Sequence, residues 1–308
     1  MFTPKTLSKR NFLSSQDLNI EEIFYIFELA KKLKNNKLKI QFQNKTLGLI
    51  FDKSSTRTRV SFQVAMSRLG GNTVDLNPQT SQIGRGEPIK DTARVLSRYC
   101  DAIAIRTYHH SDLETYAKWS SKPVINALTD LEHPCQALAD YLTIFEEFEC
   151  LSDLVLTFVG DGNNVANSLI LSGAILDLEI RIACPKGYEP NPIIIDRARK
   201  LYINKDKLKI FNDPHEAVYG ANVLYTDVWS SMGEEDKKYE KDKDFKGFTI
   251  NQDLVSKANK DVIVLHCLPA YRNKEITDQV IDSKQSRIFD QAENRLHIQH
   301  ALLACLLS

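Results

Sequence analysis

Residues 154–183 read LVLTFVGDGNNVANSLILSGAILDLEIRIA, and this stretch decides the fold class. Its apolar run at 154–159 predicts a buried strand, and the apolar spacing over 165–176 predicts a helix after a short polar turn. The run at 180–183 then predicts a second buried strand. A strand–helix–strand unit of this kind is typical of an α/β fold with mainly parallel strands.

The same alternation continues through the rest of the chain. Further apolar runs predict strands at 47–51, 102–105, 124–127, 222–225, 262–265 and, as a last short one, 287–289. Apolar spacings of three and four predict helices at 60–69, 112–119, 134–148 and 292–307. The proline at position 134 suits the first turn of its helix.

This pattern predicts an α/β protein made of two doubly wound parallel-sheet domains. We place the domains at residues 1–148 and 149–308, and we expect the C-terminal helix at 292–308 to pack against the first of them. The charged segment at 233–244 is interpreted as a solvated, mobile surface loop.

The composition is that of an ordinary globular protein. The 308 residues include 40 Lys and Arg against 40 Asp and Glu, and this zero formal charge argues against a general nucleic-acid binder. No apolar run approaches the roughly 18 residues that span a bilayer, and the N-terminus lacks the apolar region of a signal peptide. Six scattered cysteines without a CxxC pair indicate reduced thiols. We therefore expect a cytoplasmic protein without a zinc site.

A motif rich in hydroxyl groups and arginine, SSTRTR at 54–59, lies between a predicted strand and a predicted helix. Helix N-termini present unpaired N–H groups and a partial positive charge, and an arginine can bind two phosphate oxygens at once. The motif therefore predicts a site for a phosphate dianion, with an N-cap cluster as the alternative. A Walker loop is excluded, because its glycines and lysine are missing.

Two more polar groups follow predicted strands in the first half. Arg106 follows the strand at 102–105, and the segment HPCQ at 133–136 begins a helix. A neutral histidine can donate to a carbonyl oxygen and a glutamine amide can bind a substrate NH2 group, although a plain helix start is the alternative. Because ligands bind at the carboxyl ends of parallel strands, we expect these groups and the 54–59 motif at one sheet edge.

The second half offers weaker signals. The segment GDGNNV at 160–165 begins like a dinucleotide-binding turn, but Val165 replaces the last glycine and no acidic residue ends the next strand. Asp227 follows a strand and suits a ligand ammonium group. Cys267 follows another strand and is either inert packing or a thiolate tuned by its neighbours. No nucleophile–base arrangement can be assembled from spacing, so covalent catalysis has no specific support.

Together these segments resemble the ornithine carbamoyltransferases of the aspartate/ornithine carbamoyltransferase family. The matching pieces occur in family order over nearly the whole chain: STRT at 55–58, SQIG at 81–84, Arg106, HPCQ at 133–136, DGNN at 161–164, Asp227 with SMG at 231–233, HCLP at 266–269 and ENR at 293–295. The SMG and HCLP pieces favour ornithine over aspartate as the substrate.

The resemblance implies transfer of the carbamoyl group from carbamoyl phosphate to the δ-amine of L-ornithine, giving citrulline and phosphate, in arginine biosynthesis. Carbamoyl phosphate would bind the first domain and ornithine the second, without a metal or a cofactor. The family also implies a homotrimer in which Gln82 reaches a neighbouring site. Three alternatives stay open: carbamoylation of putrescine or N-acetylornithine, an NAD-binding dehydrogenase, and a catalytically silent subunit.

The resemblance also assigns roles to single residues. The phosphate would be bound by Ser55, Thr56, Arg57, Thr58 and Arg106. The rest of carbamoyl phosphate would contact His133, Pro134, Cys135, Gln136, Arg295, the Cys267–Leu268 backbone and Gln82. Ornithine would be bound by Asn164, Asp227, Ser231 and Met232. The catalytic residues would be Arg106, His133, Asp227 and Cys267.

Overall fold

The computed structural model describes residues 7–53, 55–77, 86–230 and 238–308. The chain divides into two compact units, Met1–Ala139 with Glu293–Ser308, and Asp140–Ala292. Each unit is built on one parallel sheet, so the predicted pair of parallel-sheet α/β domains is confirmed. Among the described residues, every helix is too short or too polar to cross a membrane.

The first unit contains a four-stranded parallel sheet with the order β2-β1-β3-β4. Its strands are β1 (Thr46–Phe51), β2 (Asn72–Leu76), β3 (Ala102–Arg106) and β4 (Val124–Leu128). The helices that begin in it are α1 (Ile20–Lys34), α2 (Thr56–Arg68), α3 (Ile89–Tyr99), α4 (His110–Trp119) and α5 (Pro134–Phe148). The central strands β1 and β3 are buried almost throughout, which explains their continuous apolar sequences.

The second unit contains a five-stranded parallel sheet with the order β7-β6-β5-β8-β9. Its strands are β5 (Val155–Val159), β6 (Glu179–Ala183), β7 (Leu208–Phe211), β8 (Val223–Thr226) and β9 (Ile263–His266). Its helices are α6 (Asn164–Ile175), α7 (Pro192–Leu201), α8 (Pro214–Val218), α9 (Lys238–Asp244), α10 (Gln252–Lys257) and α11 (Asp278–Ile281). The carboxyl ends of β5, β8 and β9 therefore meet along one edge of this sheet.

The last helix, α12 (Ile288–Leu306), returns the chain to the first unit. Its Asn294 accepts a hydrogen bond from Lys34 of α1 at 3.0 Å, so the C-terminal part of the helix is tied to that unit. The predicted strand at 287–289 is wrong, because the helix already begins at Ile288. Ser286, just before the helix, forms an isolated bridge to Val264 of β9. Of the two apolar residues that suggested a strand, Ile288 is buried and Phe289 is exposed.

The charged segment is not a solvated loop where the structure describes it. Residues Lys238–Asp244 form helix α9, and residues 233–237 lie outside the described residues. Lys241 of this helix is only 3% exposed and pairs with the Asp161 carboxylate at 2.6 Å. Phe245 follows in the core of the second unit. The composition was misleading because a buried ion pair and one aromatic side chain anchor an otherwise charged stretch.

The glycine at position 162 is required by a close approach of two backbone segments. A Cβ atom placed there would lie 2.3 Å from the backbone nitrogen of Pro190 and 2.4 Å from the carbonyl carbon of Glu189. The Gly162 N–H also donates to the Tyr188 carbonyl at 2.9 Å. Gly162, one of the two glycines that suggested a dinucleotide turn, therefore has a packing role in this fold.

We predict that Gly162→Ala destabilises the protein by about 2 kcal/mol, since backbone must shift to admit the methyl group. The melting temperature followed by circular dichroism should fall by roughly 5 °C. The exposed neighbour Lys186 provides the control, and Lys186→Ala should melt within about 1 °C of the parent. Equal melting of Gly162→Ala and the parent would contradict the packing argument.

Candidate functional site

Residues 55–59 of the SSTRTR motif lie where β1 leads into α2, and Ser54 lies outside the described residues. Helix α2 begins at Thr56, and Ser55 occupies its N-cap position in an extended conformation (φ −157°, ψ 108°) without a side-chain capping bond. The capping alternative therefore fails for Ser55, whose hydroxyl is not used to hold the helix. Thr56 and Arg57 are exposed, whereas Thr58 is buried. This helix N-terminus is thus equipped to bind an anion.

Arg295 of α12 connects three segments of the first unit. Its guanidinium donates to the Thr58 hydroxyl at 3.0 Å and to the Gln136 side-chain oxygen, and it lies 3.5 Å from Nε2 of His133. All four side chains are at most 5% exposed. The structure therefore brings together residues from α2, the start of α5 and α12 that the sequence separates by up to 237 positions.

Arg106, at the carboxyl end of β3, adds a second buried guanidinium to this cluster. Burial, followed by the positive charges of Arg295 and Arg57, lowers the pKa of Arg106 to about 10. Among the described residues Arg106 pairs with no carboxylate, and its Nε is buried without a hydrogen-bond partner. The group stays charged at neutral pH. Three arginines thus concentrate positive charge at this site, and an anionic ligand suits it.

His133 lies among these arginines as a neutral ring. Its pKa is held well below the ordinary value by burial and by the charges of Arg295 and Arg106. A neutral imidazole can still donate one hydrogen bond to a carbonyl oxygen. Next to it, Pro134 opens helix α5, and the Cys135 thiol is turned to the backbone oxygen of Asn126 at 3.4 Å. Burial raises the pKa of Cys135 to about 12, so this thiol is inert.

The second unit places Asp227 and Cys267 together. Asp227 follows β8, and its carboxylate accepts from the Asn163 amide and the Val228 N–H, each at 2.8 Å. The Cys267 thiol, following β9, donates to the same carboxylate at 2.9 Å. Burial and then the negative charge of Asp227 hold the pKa of the Cys267 thiol well above its ordinary value. Cys267 is therefore a protonated hydrogen-bond donor at neutral pH, which decides between the two interpretations of this residue.

Asn163 is a site residue that the sequence analysis missed. Its side-chain oxygen caps α6 by accepting from Val165 and Ala166, while its amide nitrogen donates to Asp227. The sequence signal was available, since asparagine is a preferred N-cap residue and stands directly before this helix. The neighbouring Asn164, which the family resemblance selected, is the first residue of α6 and is partly exposed.

Leu268 has a backbone conformation that few branched residues adopt. Its φ of 57° lies in the left-handed region, which costs a residue with a side chain about 1–2 kcal/mol. Its N–H donates to Nδ1 of His266 at 2.9 Å. The carbonyl oxygens of Cys267 and Leu268 accept no hydrogen bond from the described residues. These two carbonyls can therefore accept from an amide group of a ligand.

Asp227, His266 and Cys267 also form a cluster with metal-ligand chemistry, their donor atoms lying within 4.8 Å of one another. Both ring nitrogens of His266 are already engaged, Nδ1 by the Leu268 N–H and Nε2 by Glu275 at 3.0 Å. A metal would have to displace one of these bonds. The expected absence of a metal stays a prediction.

Three of the predicted site residues, Gln82, Ser231 and Met232, lie outside the described residues. The remaining ones fall into two groups. Ser55, Thr56, Arg57, Thr58, Arg106, His133, Pro134, Cys135, Gln136 and Arg295 belong to the first unit, and Asn164, Asp227, Cys267 and Leu268 belong to the second.

Comparison with protein families matches both parts of the chain. Residues 10–146 match the model of the carbamoyl-P binding domain of aspartate/ornithine carbamoyltransferase. Residues 152–306 match the model of the Asp/Orn binding domain of the same family. The two matches together include every site residue named above.

Full-length relatives and solved structures agree with these matches. The chain is 72% identical over 307 residues to an ornithine carbamoyltransferase of Prochlorococcus marinus subsp. pastoris, with complete coverage of both chains. It is similar to the structure of the Pyrococcus furiosus ornithine carbamoyltransferase, with a TM-score of 0.93, 49% identity and 98% coverage of each chain. The Gloeobacter violaceus enzyme gives a TM-score of 0.88 at 46% identity, covering 98% of this chain and 99% of that one. The chain therefore belongs to the aspartate/ornithine carbamoyltransferase family.

Proposed function

We propose that this protein is an ornithine carbamoyltransferase, which transfers the carbamoyl group of carbamoyl phosphate to the δ-amine of L-ornithine and releases citrulline and phosphate. The observation that carries this proposal is the cluster of Arg57, Arg106 and Arg295 in the first unit. Arg106 is buried beside two like charges and pairs with no carboxylate of the described residues. A phosphate dianion supplies the missing negative charge.

In the first unit, the phosphate group binds Ser55, Thr56, Arg57 and Thr58 at the α2 N-terminus, together with Arg106. His133, Gln136 and Arg295 bind the carbamoyl group, whose oxygen gains negative charge as the amine attacks. Arg106, Thr58 and the neutral His133 are preorganised donors for that oxygen. The main chain around Pro134 and Cys135 shapes this pocket, because the Cys135 side chain is directed into the core.

In the second unit, Asp227 binds the ammonium end of ornithine and Asn164 assists, with Ser231 and Met232 completing the amino-acid site. The carbonyl oxygens of Cys267 and Leu268 accept from the carbamoyl NH2 group. Cys267 flanks the δ-amine as a thiol, so we expect no thioester intermediate. We propose that residues 1–148, with the C-terminal helix at 292–308 packed against them, bind carbamoyl phosphate, and that the rest of 149–308 binds ornithine.

The chemistry is a direct attack through a tetrahedral intermediate. A lysine-like amine with a pKa near 10.4 must first lose a proton, which costs roughly 4–5 kcal/mol at pH 7. Orientation of bound reactants offsets this cost, since it contributes on the order of 7–11 kcal/mol. The C–N bond then forms, the C–O bond to phosphate breaks, and the nitrogen loses its second proton as the intermediate collapses.

The proposal has a cellular part as well. We place the enzyme in the cytoplasm and in arginine biosynthesis, acting without a metal or cofactor. We also propose a homotrimer in which Gln82 completes a neighbouring site. These statements rest on the family resemblance of the sequence, since Gln82 lies outside the described residues.

We predict that the purified protein forms citrulline from carbamoyl phosphate and ornithine, and that Arg57→Ala raises the KM for carbamoyl phosphate roughly 30-fold. The loss corresponds to about 2 kcal/mol, the value of a charge-assisted phosphate contact. Arg197→Ala, which removes an exposed arginine of α7, is the matched control and should leave the KM unchanged.

Putrescine and N-acetylornithine are assayed in parallel as alternative acceptor amines. Faster turnover of either amine would overturn ornithine as the substrate, and an unchanged KM in Arg57→Ala would overturn the phosphate site.

We also predict that Cys267 resists alkylation by iodoacetamide at pH 7, because its raised pKa leaves little thiolate. The exposed Cys150, whose pKa is lowered chiefly by hydrogen bonding to Ser152, is the internal control and should react faster. Asp227→Asn removes the negative charge beside Cys267, lowers the pKa of that thiol and should accelerate its labelling without changing Cys150. Peptide mass spectrometry resolves the two sites. Equal wild-type rates at both cysteines, or no response of Cys267 to Asp227→Asn, would contradict the thiol assignment.

A further inference from the structure

A buried histidine–glutamate pair lies directly behind the Cys267–Leu268 segment. Nε2 of His266 is 3.0 Å from Oε1 of Glu275, and both side chains are completely buried. His266 belongs to the HCLP segment at 266–269, and Glu275 lies outside every segment that carries the family resemblance. Neither residue contributes an atom to the substrate contacts proposed above.

The hydrogen bonds around His266 define its tautomer. Nδ1 accepts from the Leu268 N–H at 2.9 Å, and an acceptor nitrogen carries no proton. The single ring proton is therefore on Nε2, where it is donated to Glu275. The planar ring therefore connects the Glu275 carboxylate to the Leu268 N–H through one hydrogen bond at each nitrogen.

Glu275 also fixes the far side of the same turn. Its Oε1 accepts from the Tyr271 N–H at 2.6 Å in addition to His266, so one oxygen ties both sides of the segment 267–270. The main chain that carries this carboxylate is also held, because the Glu275 backbone oxygen accepts from the Ile250 N–H at 2.9 Å. The turn is thus built around a fixed acceptor.

The other side of His266 is equally constrained. Its N–H donates to Oε1 of Gln291 at 2.9 Å, and the Gln291 amide nitrogen donates to the buried Asp140 carboxylate at 2.7 Å. The end of β9 is therefore held from both sides by buried side chains. The left-handed conformation of Leu268 is thus accompanied by a fixed acceptor for its N–H.

We propose that Glu275 is a positioning residue that acts through His266 to hold the Cys267–Leu268 main chain in the geometry that binds the carbamoyl group. The inference deepens the proposed function and rests on it. With the Leu268 N–H bound to His266, the peptide is oriented so that its carbonyl oxygens stay available to the substrate NH2 group. Losing the acceptor at position 275 releases the turn while leaving the arginine cluster of the first unit intact.

The test compares Glu275→Leu with Glu275→Gln. Glutamine keeps an acceptor oxygen for both N–H donors, and its NH2 group replaces Oε2, which has no hydrogen-bond partner among the described residues. Leucine removes the acceptor at similar volume. We expect kcat for citrulline formation to fall at least 30-fold in Glu275→Leu and less than fivefold in Glu275→Gln. The Kd of inorganic phosphate, measured by calorimetry, should stay within twofold of wild type in both.

The outcomes separate positioning from general stability. The buried carboxylate of Glu22 in α1, which accepts from Asn19 and Arg10, provides the control, and Glu22→Leu should lose stability without losing kcat. A kcat within threefold of wild type in Glu275→Leu would overturn the proposal. Loss of phosphate binding along with kcat, or a Glu275→Gln variant as slow as Glu275→Leu, would also overturn it. A wild-type protein that forms no citrulline would instead refute the proposed function.

A second variant keeps the test decisive where Glu275→Leu fails to fold. In His266→Asn, the side-chain oxygen replaces Nδ1 as the acceptor for the Leu268 N–H, but the contact with Glu275 is lost. We expect kcat to fall about tenfold with the phosphate Kd unchanged. Wild-type kcat in this variant would show that the turn does not depend on Glu275.

Discussion

The structure depends on buried positive charge that is concentrated in the first unit. Arg106 is buried without a carboxylate partner among the described residues, and Arg295 and Arg57 lie close enough to lower its pKa. Burying a charge without a counter-charge costs several kcal/mol, so the position of Arg106 is expensive in the folded protein alone. The proposed phosphate dianion would remove that cost, so we expect its binding to stabilise the first unit.

Burial and neighbouring charges together set the protonation states in the site. Burial first, and then the positive charges of Arg295 and Arg106, hold the pKa of His133 well below its ordinary value, so the imidazole acts as a neutral donor. In the second unit, burial first, and then the negative charge of Asp227, holds the pKa of the Cys267 thiol well above its ordinary value, so the thiol stays protonated. Neither side chain then serves as a nucleophile.

Much of this arrangement could be predicted from the sequence, and the exceptions have physical reasons. Buried central strands such as β5 are continuous apolar runs, and helix α5 was predicted at its observed bounds of Pro134–Phe148. The strand β2 was missed because it is mostly exposed and follows two glycines, which indicate a turn. The predicted strand at 287–289 was wrong because two adjacent apolar residues fit the start of a helix equally well.

The site was predictable where it depends on strand ends and not where it depends on tertiary contacts. Arg106 and Asp227 each follow a buried strand, so their positions could be inferred from topology. No local pattern shows that Arg295 reaches Thr58 across 237 positions or that Lys241 is buried against Asp161. The hydrogen bond between His266 and Glu275 could not be inferred from the sequence either, since a turn of irregular backbone separates the two residues.

We propose that arginine charge, without help from a protonated histidine, binds the phosphate dianion. Calorimetry of carbamoyl phosphate binding between pH 5 and 8 tests it, because Arg106, with a pKa of about 10, stays charged at every pH of this range, while burial and the neighbouring arginines hold the pKa of His133 well below its ordinary value. The ligand itself titrates in this range, since the second pKa of phosphate esters is about 6. The account predicts an affinity that is constant above pH 7 and weakens as the pH falls below 6. An affinity that strengthens toward pH 5 would show that a protonated histidine binds the ligand, which contradicts the account.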